Sequence, residues 1–218
     1  MTARRLDRFW QGLLQPAARD VFNPWTDHDA STDLHRDAAL ARRARLAAHL
    51  DTDAALILVG EAPGYQGCHV TGIPFTSERL VIAGSIPRVK ASEPRLSSRH
   101  IPWSEPSATT VWGTLYELGV ADRTVLWNAY PWHPHKPGNR QSNRAPTPSE
   151  REAGVPVLEA LLAAFPRARV FAVGRTAEAS MRDAGQRAEP LRHPSMGGAA
   201  LFRSQLREAL GPKARPLT

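Results

Sequence analysis

Three polar side chains stand where short apolar runs of the sequence end. Glu61 follows one run within the sequence GEAPG, Asn128 ends a second, and His193 follows a third within HPS. A carboxylate can orient water or stabilise a neighbouring cation, and an imidazole can stabilise negative charge as it develops. A carboxamide donates and accepts hydrogen bonds side by side, which suits it to read the edge of a planar polar ligand. Together these residue types could bind such a ligand and help to break one of its bonds.

Short apolar runs, each stopped by Gly, Asn or Pro, predict the strands that position these side chains. Such runs lie at residues 55–59, 124–127 and 169–173, and a shorter fourth strand is expected at residues 191–192. Ligands collect at the carboxyl ends of the strands in an open parallel sheet. The three polar side chains are therefore expected to share one crevice.

Helical patterns alternate with the predicted strands. They cover residues 109–119, 150–164, 175–184 and 199–210, and two further helices near residues 3–14 and 33–50 open the chain. Thr147 is expected to cap the helix that Pro148 begins, because Glu150 stands three residues after it. The apolar face of the second helix is expected to consist of Leu34, Leu40, Leu46 and Leu50.

This alternation predicts an α/β fold, a three-layer αβα sandwich around a central, mainly parallel four-stranded sheet. We expect a single domain over residues 1–218, with the N-terminal helices in residues 1–50 and the core in residues 55–210. The stretch 84–107, rich in Pro, Ser and Arg, is expected to be a long mobile loop rather than a linker between domains.

The composition limits the classes of partner and cofactor. Lys and Arg number 28 against 21 Asp and Glu, and the formal net charge of +7 favours nucleic acid first and an acidic membrane second. Frequent use of Arg in a GC-rich genome is the alternative explanation. Cys68 is the single cysteine, which excludes a disulfide within the chain and argues against a cysteine-bound zinc ion or iron–sulfur cluster.

The sequence also lacks several common targeting and cofactor motifs. It has no signal-peptide pattern and no apolar run near the ~20 residues that a membrane span needs, so we expect a soluble, cytoplasmic protein. Neither GxxxxGK[ST] nor GxGxxG follows the first predicted strand. Phosphoryl transfer and dinucleotide binding therefore have no support.

The ordered set of motifs resembles the uracil-DNA glycosylase superfamily. The set comprises GEAPG, TGIPF, a strand ending in Asn, PGNR, NRAPTPSE and HPS, and it spans about two-thirds of the chain. Its wording is closest to the bacterial iron–sulfur branch. The resemblance implies a monofunctional, monomeric DNA glycosylase, nucleoid-associated in the cytoplasm, that needs no cofactor or metal. Such an enzyme flips uracil or another deaminated base out of DNA, hydrolyses its N-glycosidic bond and initiates base excision repair.

The same resemblance implies a role for each candidate residue of the site. Phe75 would stack on the flipped base, and Asn128 would pair with the imide edge of uracil. His193 would stabilise negative charge at O2 of the departing base, and Glu61 would orient water or support the sugar cation. The surrounding loop would contribute Gly60, Ala62, Pro63 and Gly64. Each of these residues also has a purely structural interpretation. Phe75 could belong to the core, Asn128 to a turn, and His193 and Glu61 to loops.

Further residues would contact DNA. Phosphate contacts are expected from Ser77, Arg192 and Ser195, and Met196 with Gly197 would form the loop that fills the gap left by the flipped base. Met196 could instead pack inward. Two further candidates that would line the DNA groove, or lie solvated outside it, are Arg140 and Arg144.

Other aromatic and imidazole side chains carry weaker signals. The pair His133 and His135 could be imagined in a metal site with His193 and Glu61, but the Pro-stiffened loop argues against one. Trp132 follows the Asn128 strand end and could form part of the groove wall, although such residues more often lie in the core.

The sequence departs from the iron–sulfur branch in two respects. That branch carries four cysteines, so either the loops here are held by packing, for example against the N-terminal helices, or the chain represents a separate branch. The loop after GEAPG is acidic in that branch, whereas residues 65–69 read YQGCH. Other branches tend to carry Asn where this chain has Glu61. Uracil is the first candidate for the substrate base, and hypoxanthine, xanthine and other deaminated bases are alternatives.

Two rival functions are compatible with the sequence. One is a non-catalytic nucleic-acid or damage-binding protein on the same fold, which would bind DNA without releasing a base. The other is a hydrolase of free nucleotides or nucleosides, which would show little affinity for DNA. The net charge of +7 weighs against the second.

Overall fold

The computed structural model describes residues 5–91 and 95–211. Its strands are β1 (Val21–Phe22), β2 (Leu56–Gly60), β3 (Thr124–Asn128), β4 (His133–Pro134), β5 (Arg169–Val173) and β6 (Glu189–Leu191). Its helices are α1 (Asp7–Leu13), α2 (Ala38–Leu50), α3 (Cys68–Thr71), α4 (Glu78–Ile82), α5 (Pro106–Glu117), α6 (Pro148–Ala164), α7 (Arg175–Asp183) and α8 (Ala199–Leu210). A short 3-10 helix, Ala121–Arg123, precedes β3.

A four-stranded parallel sheet forms the centre of the fold. The strand order is β3-β2-β5-β6, and each neighbouring pair runs parallel. β1 and β4 form a separate antiparallel pair. Both faces of the central sheet are covered, because alternate side chains along β2, β3 and β5 point into two different apolar clusters. The predicted αβα sandwich around a mainly parallel four-stranded sheet is confirmed.

The two layers of helices follow from these clusters. One cluster holds buried residues of α1, α2, α6 and α7, together with Ile57 and Val59 of β2. The other holds buried residues of α4, α5 and α8, together with Leu56 and Leu58 of β2. Within the described residues no helix is both long and apolar enough to cross a membrane.

Most predicted elements lie within a few residues of their expected positions. Thr147 caps α6 through a capping box, since its side chain accepts from the Glu150 amide and the Glu150 carboxylate accepts from the Thr147 amide. α5 starts three residues earlier than expected, because Pro106 occupies its first turn. The fourth strand ends at Leu191, so Arg192 lies outside it. Residues 3 and 4 of the predicted first helix lie outside the described residues.

The prediction for the second helix was wrong in its start and in its buried face. α2 begins at Ala38 rather than at residue 33, and Leu34 and Leu40 are 45% and 59% exposed. Leu46 and Leu50 are buried as expected, but the rest of the buried face includes Arg42. Its guanidinium pairs with Asp33 at 2.5 Å, a contact that holds Asp33 outside the helix.

The described part of the stretch 84–107, which was expected to be a mobile loop, is anchored to α4 by hydrogen bonds. The buried carboxylate of Glu78 accepts hydrogen bonds from the amides of Leu96, Ser97 and Trp103 at 2.8–2.9 Å. Burial raises the pKa of Glu78, but these bonds and one from the Ser97 hydroxyl outweigh burial and hold the pKa below its usual value. Residues 92–94 lie outside the described residues.

Candidate active site

A cleft of about 800 Å³ opens at the carboxyl edge of the central sheet. Glu61 follows β2, Asn128 ends β3, and His193 comes shortly after β6, and all three line this cleft together with Phe75. The volume lies within the range typical of small-molecule sites. The expectation that these side chains share one crevice agrees with their positions.

Gly60 is the point at which the Phe75 ring and the Asn128 side chain meet. A Cβ added to Gly60 would lie 2.6 Å from Phe75 Cζ and 2.7 Å from Asn128 Oδ1. Gly60 and Asn128 are direct partners in the register of β2 and β3, and the Ala129 amide donates to the Gly60 carbonyl at 2.8 Å. Only glycine leaves room here for both side chains to approach the sheet edge.

Phe75 holds an unusual backbone conformation. Its φ of 50° lies in the left-handed region, which non-glycine residues seldom adopt. The neighbouring loop is fixed by Thr71, whose hydroxyl lies 2.9 Å from the Thr76 carbonyl and accepts from the Ile73 amide at 3.2 Å. Trp112 Nε1 donates to the Thr76 hydroxyl at 3.0 Å. Strain that is held in place by its surroundings is typical of functional sites.

The imidazole of His193 has a defined tautomer. The Ser195 amide donates to His193 Nδ1 at 3.1 Å, and the Ser195 hydroxyl lies 2.7 Å from the same atom. Because a backbone amide can only donate, Nδ1 carries no hydrogen, and the neutral ring is protonated at Nε2. Burial, and then the charge of Arg192, lower the pKa of His193. The centroid of the ring lies 6.2 Å from that of the Phe75 ring, so a neutral N–H donor lies near Phe75.

Three carboxyl groups line the cleft, those of Glu61, Glu105 and Glu178, and burial raises the pKa of the first two. Burial raises the pKa of Glu61, and the charge of Arg151 offsets part of that rise. Glu105 was missed by the sequence analysis because it falls within the stretch expected to be a mobile loop. Burial raises its pKa to about 7, and its carboxylate occupies the space that a side chain on Gly67 would need. Its position directly before Pro106, which begins α5, is the one local sequence signal that could have fixed its place.

Comparison with known proteins identifies the family. Residues 47–209 match the family model of the uracil DNA glycosylase superfamily. The chain belongs to this superfamily. No match was found among curated proteins. Membership in the superfamily supports the assignment of this chain as a DNA glycosylase.

A solved structure shares the fold. Wild-type SMUG2 from Pedobacter heparinus is 16% identical in sequence and superposes with a TM-score of 0.63 over 96% of each chain. At this identity the likeness concerns the architecture alone.

Two of the residues expected to contact DNA lie at the cleft of this superfamily member, and Met196 and Gly197 follow them directly in the chain. Arg192 and Ser195 line the cleft and are exposed. Met196 is 91% exposed with a φ of 53°, and Gly197 follows with a φ of 74°. Met196 therefore points outward rather than into the core, at the tip of a strained turn.

Ser77 and Arg144 are not presented as the sequence analysis expected. Ser77 is 1% exposed where α4 begins, so its side chain is not available to a phosphate. Arg144 forms a bidentate ion pair with Glu150, both bonds at 2.7 Å, and donates to the His135 and Asp20 carbonyls. Its side chain is 24% exposed, and it holds the loop to α6 instead of lining a groove.

Arg140 is 43% exposed and lies over the Phe22 ring, with Nη1 donating to the His28 carbonyl at 3.1 Å. It does not line the cleft, although Asn143 of the same loop does.

The remaining imidazole and indole candidates are structural. His133 is buried against His69, and His135 Nδ1 lies 2.9 Å from the Lys136 carbonyl, so neither joins His193 in the cleft. Trp132 is 7% exposed and donates to the Leu13 carbonyl, which places it in the core. Across residues 5–91 and 95–211, no group of three or more His, Cys, Asp or Glu side chains is arranged to hold a metal ion.

Proposed function

We propose that this protein is a monofunctional, monomeric DNA glycosylase that flips uracil out of DNA and hydrolyses its N-glycosidic bond. The observation that carries the proposal is the convergence of Phe75, Asn128 and the neutral N–H of His193 on one cleft at the sheet edge. An aromatic platform, a reading amide and a hydrogen-bond donor are the parts that release of a planar base requires.

The base would be held by stacking and by hydrogen bonds. The Phe75 ring stacks against the face of the base, which any base can offer. Asn128 accepts from N3–H and donates to the neighbouring carbonyl, because its amide carries both functions side by side. Cytosine presents the opposite pattern at these positions, so a rigid amide in the uracil orientation opposes it.

Bond cleavage would be driven by stabilisation of the charges that separate. As the bond between C1′ and N1 breaks, its electron pair moves to the base, and His193 Nε2–H donates to O2, where negative charge develops. This interaction strengthens toward the transition state, which is the condition for catalysis. The sugar becomes cationic, and an ionised Glu61 would stabilise it and orient water toward C1′. Water oxygen then bonds to C1′, and its proton goes to the medium.

The cleft mouth supports binding to DNA. Arg192 would contact a phosphate, and Met196 would enter the space that the flipped base leaves. The exposure of Met196 and the net charge of +7 support this arrangement. Water is the only co-reactant in the scheme, and the proposal includes no metal or cofactor.

The test uses end-labelled oligonucleotides with one uracil, single-stranded or opposite G or A, followed by alkali and measurement of strand scission. Asn128→Ala and His193→Ala should each reduce scission by orders of magnitude, whereas His100→Ala, at an exposed loop histidine, should not. DNA binding without scission of uracil, hypoxanthine or xanthine substrates would overturn the proposal and leave a damage-binding protein. Release of bases from free nucleosides alone would indicate a hydrolase of small molecules.

A further inference from the structure

Asn143 lines the same cleft as Asn128, although it comes from a different part of the chain. It lies on the loop between β4 and α6, and its side chain packs against Gly64. A Cβ added to Gly64 would lie 3.5 Å from Asn143 Nδ2, 3.7 Å from Oδ1 and 3.9 Å from Cγ. Nδ2 and Oδ1 are nearer than Cγ, so the polar edge of the amide faces Gly64. The distances are those of ordinary van der Waals contact, so the side chain packs against this part of the loop.

The orientation of the Asn143 amide is fixed by a backbone group. The Tyr65 amide donates to Asn143 Oδ1 at 3.1 Å. A backbone N–H can only donate, so the atom facing it must be the oxygen and not the nitrogen. Because Oδ1 is engaged in this way, the NH₂ group is the part of the side chain that a ligand in the cleft can use.

The residues on either side of Asn143 hold it in place. His133 Nε2 lies 2.9 Å from the Ser142 carbonyl, and the Lys136 amide donates to the Ser142 hydroxyl at 3.0 Å. On the other side, Arg144 is clamped by Glu150. A side chain supported from both neighbours is preorganised, which is what a site that discriminates between ligands requires.

A fixed N–H donor suits the chemical change that deamination makes. Deamination replaces an exocyclic amino group, which donates hydrogen bonds, with a carbonyl oxygen, which accepts them. A carbonyl oxygen has two lone pairs and can accept from two amides at once. The geometry points to Asn143 as a second specificity-determining residue, whose NH₂ group donates to the carbonyl oxygen of a deaminated base held by Asn128. This inference rests on the proposed glycosylase function.

Asn143→Asp tests the donor alone. The carboxylate keeps the acceptor for the Tyr65 amide but cannot donate, so the loop contact survives and the recognition bond is lost. Asn139→Asp is the matched control, because Asn139 Oδ1 accepts from the Gln141 amide at 3.0 Å on the same loop but does not line the cleft. The control adds the same charge to the same loop.

The measurement is the single-turnover rate on DNA carrying uracil and on DNA carrying 2-pyrimidinone, which lacks both the O4 oxygen and the N3 hydrogen. Since loss of the N3 hydrogen affects Asn128 in wild type and variant alike, the change in the ratio between them reports on O4. The ratio of the two rates is independent of the fraction of active enzyme, so a partly misfolded variant still gives an interpretable value. Asn143→Asp should lower the uracil rate by about 10- to 100-fold and the 2-pyrimidinone rate much less. Asn139→Asp should leave both rates within about twofold.

Two outcomes separate this inference from the proposed function. If Asn143→Asp keeps the wild-type ratio while wild type is active on uracil, Asn143 does not read the base, and the glycosylase proposal stands. Equal falls in both rates are one form of this first outcome, and they would assign Asn143 a structural role. If wild type releases no base from any substrate, the proposed function itself fails.

Discussion

Gly60→Ala places a methyl group where the Phe75 ring and the Asn128 side chain, the two groups proposed to hold the base, meet. The new Cβ would lie 2.6 Å from Phe75 Cζ and 2.7 Å from Asn128 Oδ1, about 1 Å inside ordinary contact distance. Neither neighbour is a flexible chain end, since Phe75 and Asn128 are 8% and 4% exposed. Overpacking of this kind costs about 1–3 kcal/mol, a fall in Tm of roughly 2–12 °C for a chain of this size. A displacement of about 1 Å in the site should lower the rate by roughly 100-fold.

The assay is single-turnover release of uracil at saturating enzyme, together with thermal unfolding of the same preparation. Gly113→Ala is the matched control, because Gly113 lies inside α5 and an added Cβ would meet nothing within 4 Å. It should keep the wild-type rate and gain about 0.5–1 kcal/mol in stability. If Gly60→Ala kept both the wild-type rate and the wild-type Tm, the argument that Phe75 and Asn128 converge at Gly60 would be refuted.

Three further predictions follow from the charges and the exposed turn. Since burial and Arg192 lower the pKa of His193, the rate should decline on the acid side only below pH 6.5, where the imidazole gains a proton. Arg192→Gln should move that decline to higher pH in a single-turnover pH profile, and an unchanged profile would contradict the assignment. Arg144→Met should lower the free energy of unfolding in urea at pH 7 by about 1–2 kcal/mol. The hydrogen bond from Arg144 lowers the pKa of Glu150, so this contribution is present above pH 4.5 and disappears as the pH falls through the lowered pKa. Unchanged unfolding with weaker DNA binding would instead place Arg144 at the DNA. Met196→Ala should leave stability within about 0.5 kcal/mol, because the side chain is 91% exposed, yet reduce activity on double-stranded DNA about tenfold more than on single-stranded DNA. Equal reductions on both substrates would argue against a wedge at this position.

The strands could be predicted because their signal is local and strong. Parallel strands buried on both faces need continuous apolar runs, and residues 55–59 and 169–173 supply them between Gly and Pro stops. The start of α6 was predictable for a similar reason, since the Thr147 capping box is complete within four residues. Once the strands were placed, the sheet edge gave the location of the cleft.

The face of α2 could not be predicted from apolar spacing. Arg42 is 1% exposed because its guanidinium donates to the Asp27 carbonyl and pairs with Asp33, partners that no helical pattern reveals. The close approach of α2 requires glycine at position 72, which has a φ of 77° and where an added Cβ would lie 2.7 Å from Arg42 Cβ. α2 thus packs against the loop that carries Phe75, and Arg45 of α2 donates to the Thr71 and Val70 carbonyls at 2.8 and 3.4 Å.

The two side chains of the cleft that the sequence did not reveal, Glu105 and Asn143, were missed for the same reason. Glu105 and Asn143 lie in segments whose sequence indicates only a loop, and each reaches the cleft by packing against a glycine of the loop after β2. The space above Gly64 and Gly67 is visible only once that loop is folded. Arg144 was misjudged in the opposite direction, because an arginine in a loop suggests DNA until its partner Glu150 is seen.

The position of Asn143 depends on a chain of buried hydrogen bonds that begins far upstream in the sequence. Asp29 Oδ2 lies 3.0 Å from His69 Nε2, His69 Nδ1 lies 2.9 Å from His133 Nδ1, and His133 Nε2 lies 2.9 Å from the Ser142 carbonyl. A carbonyl only accepts, so His133 donates from Nε2. Burial, and then the charge of His69, lower the pKa of His133 to about 3, so the ring is neutral and its Nδ1 must accept. His69 therefore donates from Nδ1, which fixes the direction of the bond between the two imidazoles. The segment around Asp29 thereby sets the loop from which Asn143 reaches the cleft, which is why the motifs GEAPG and HPS alone do not define the site.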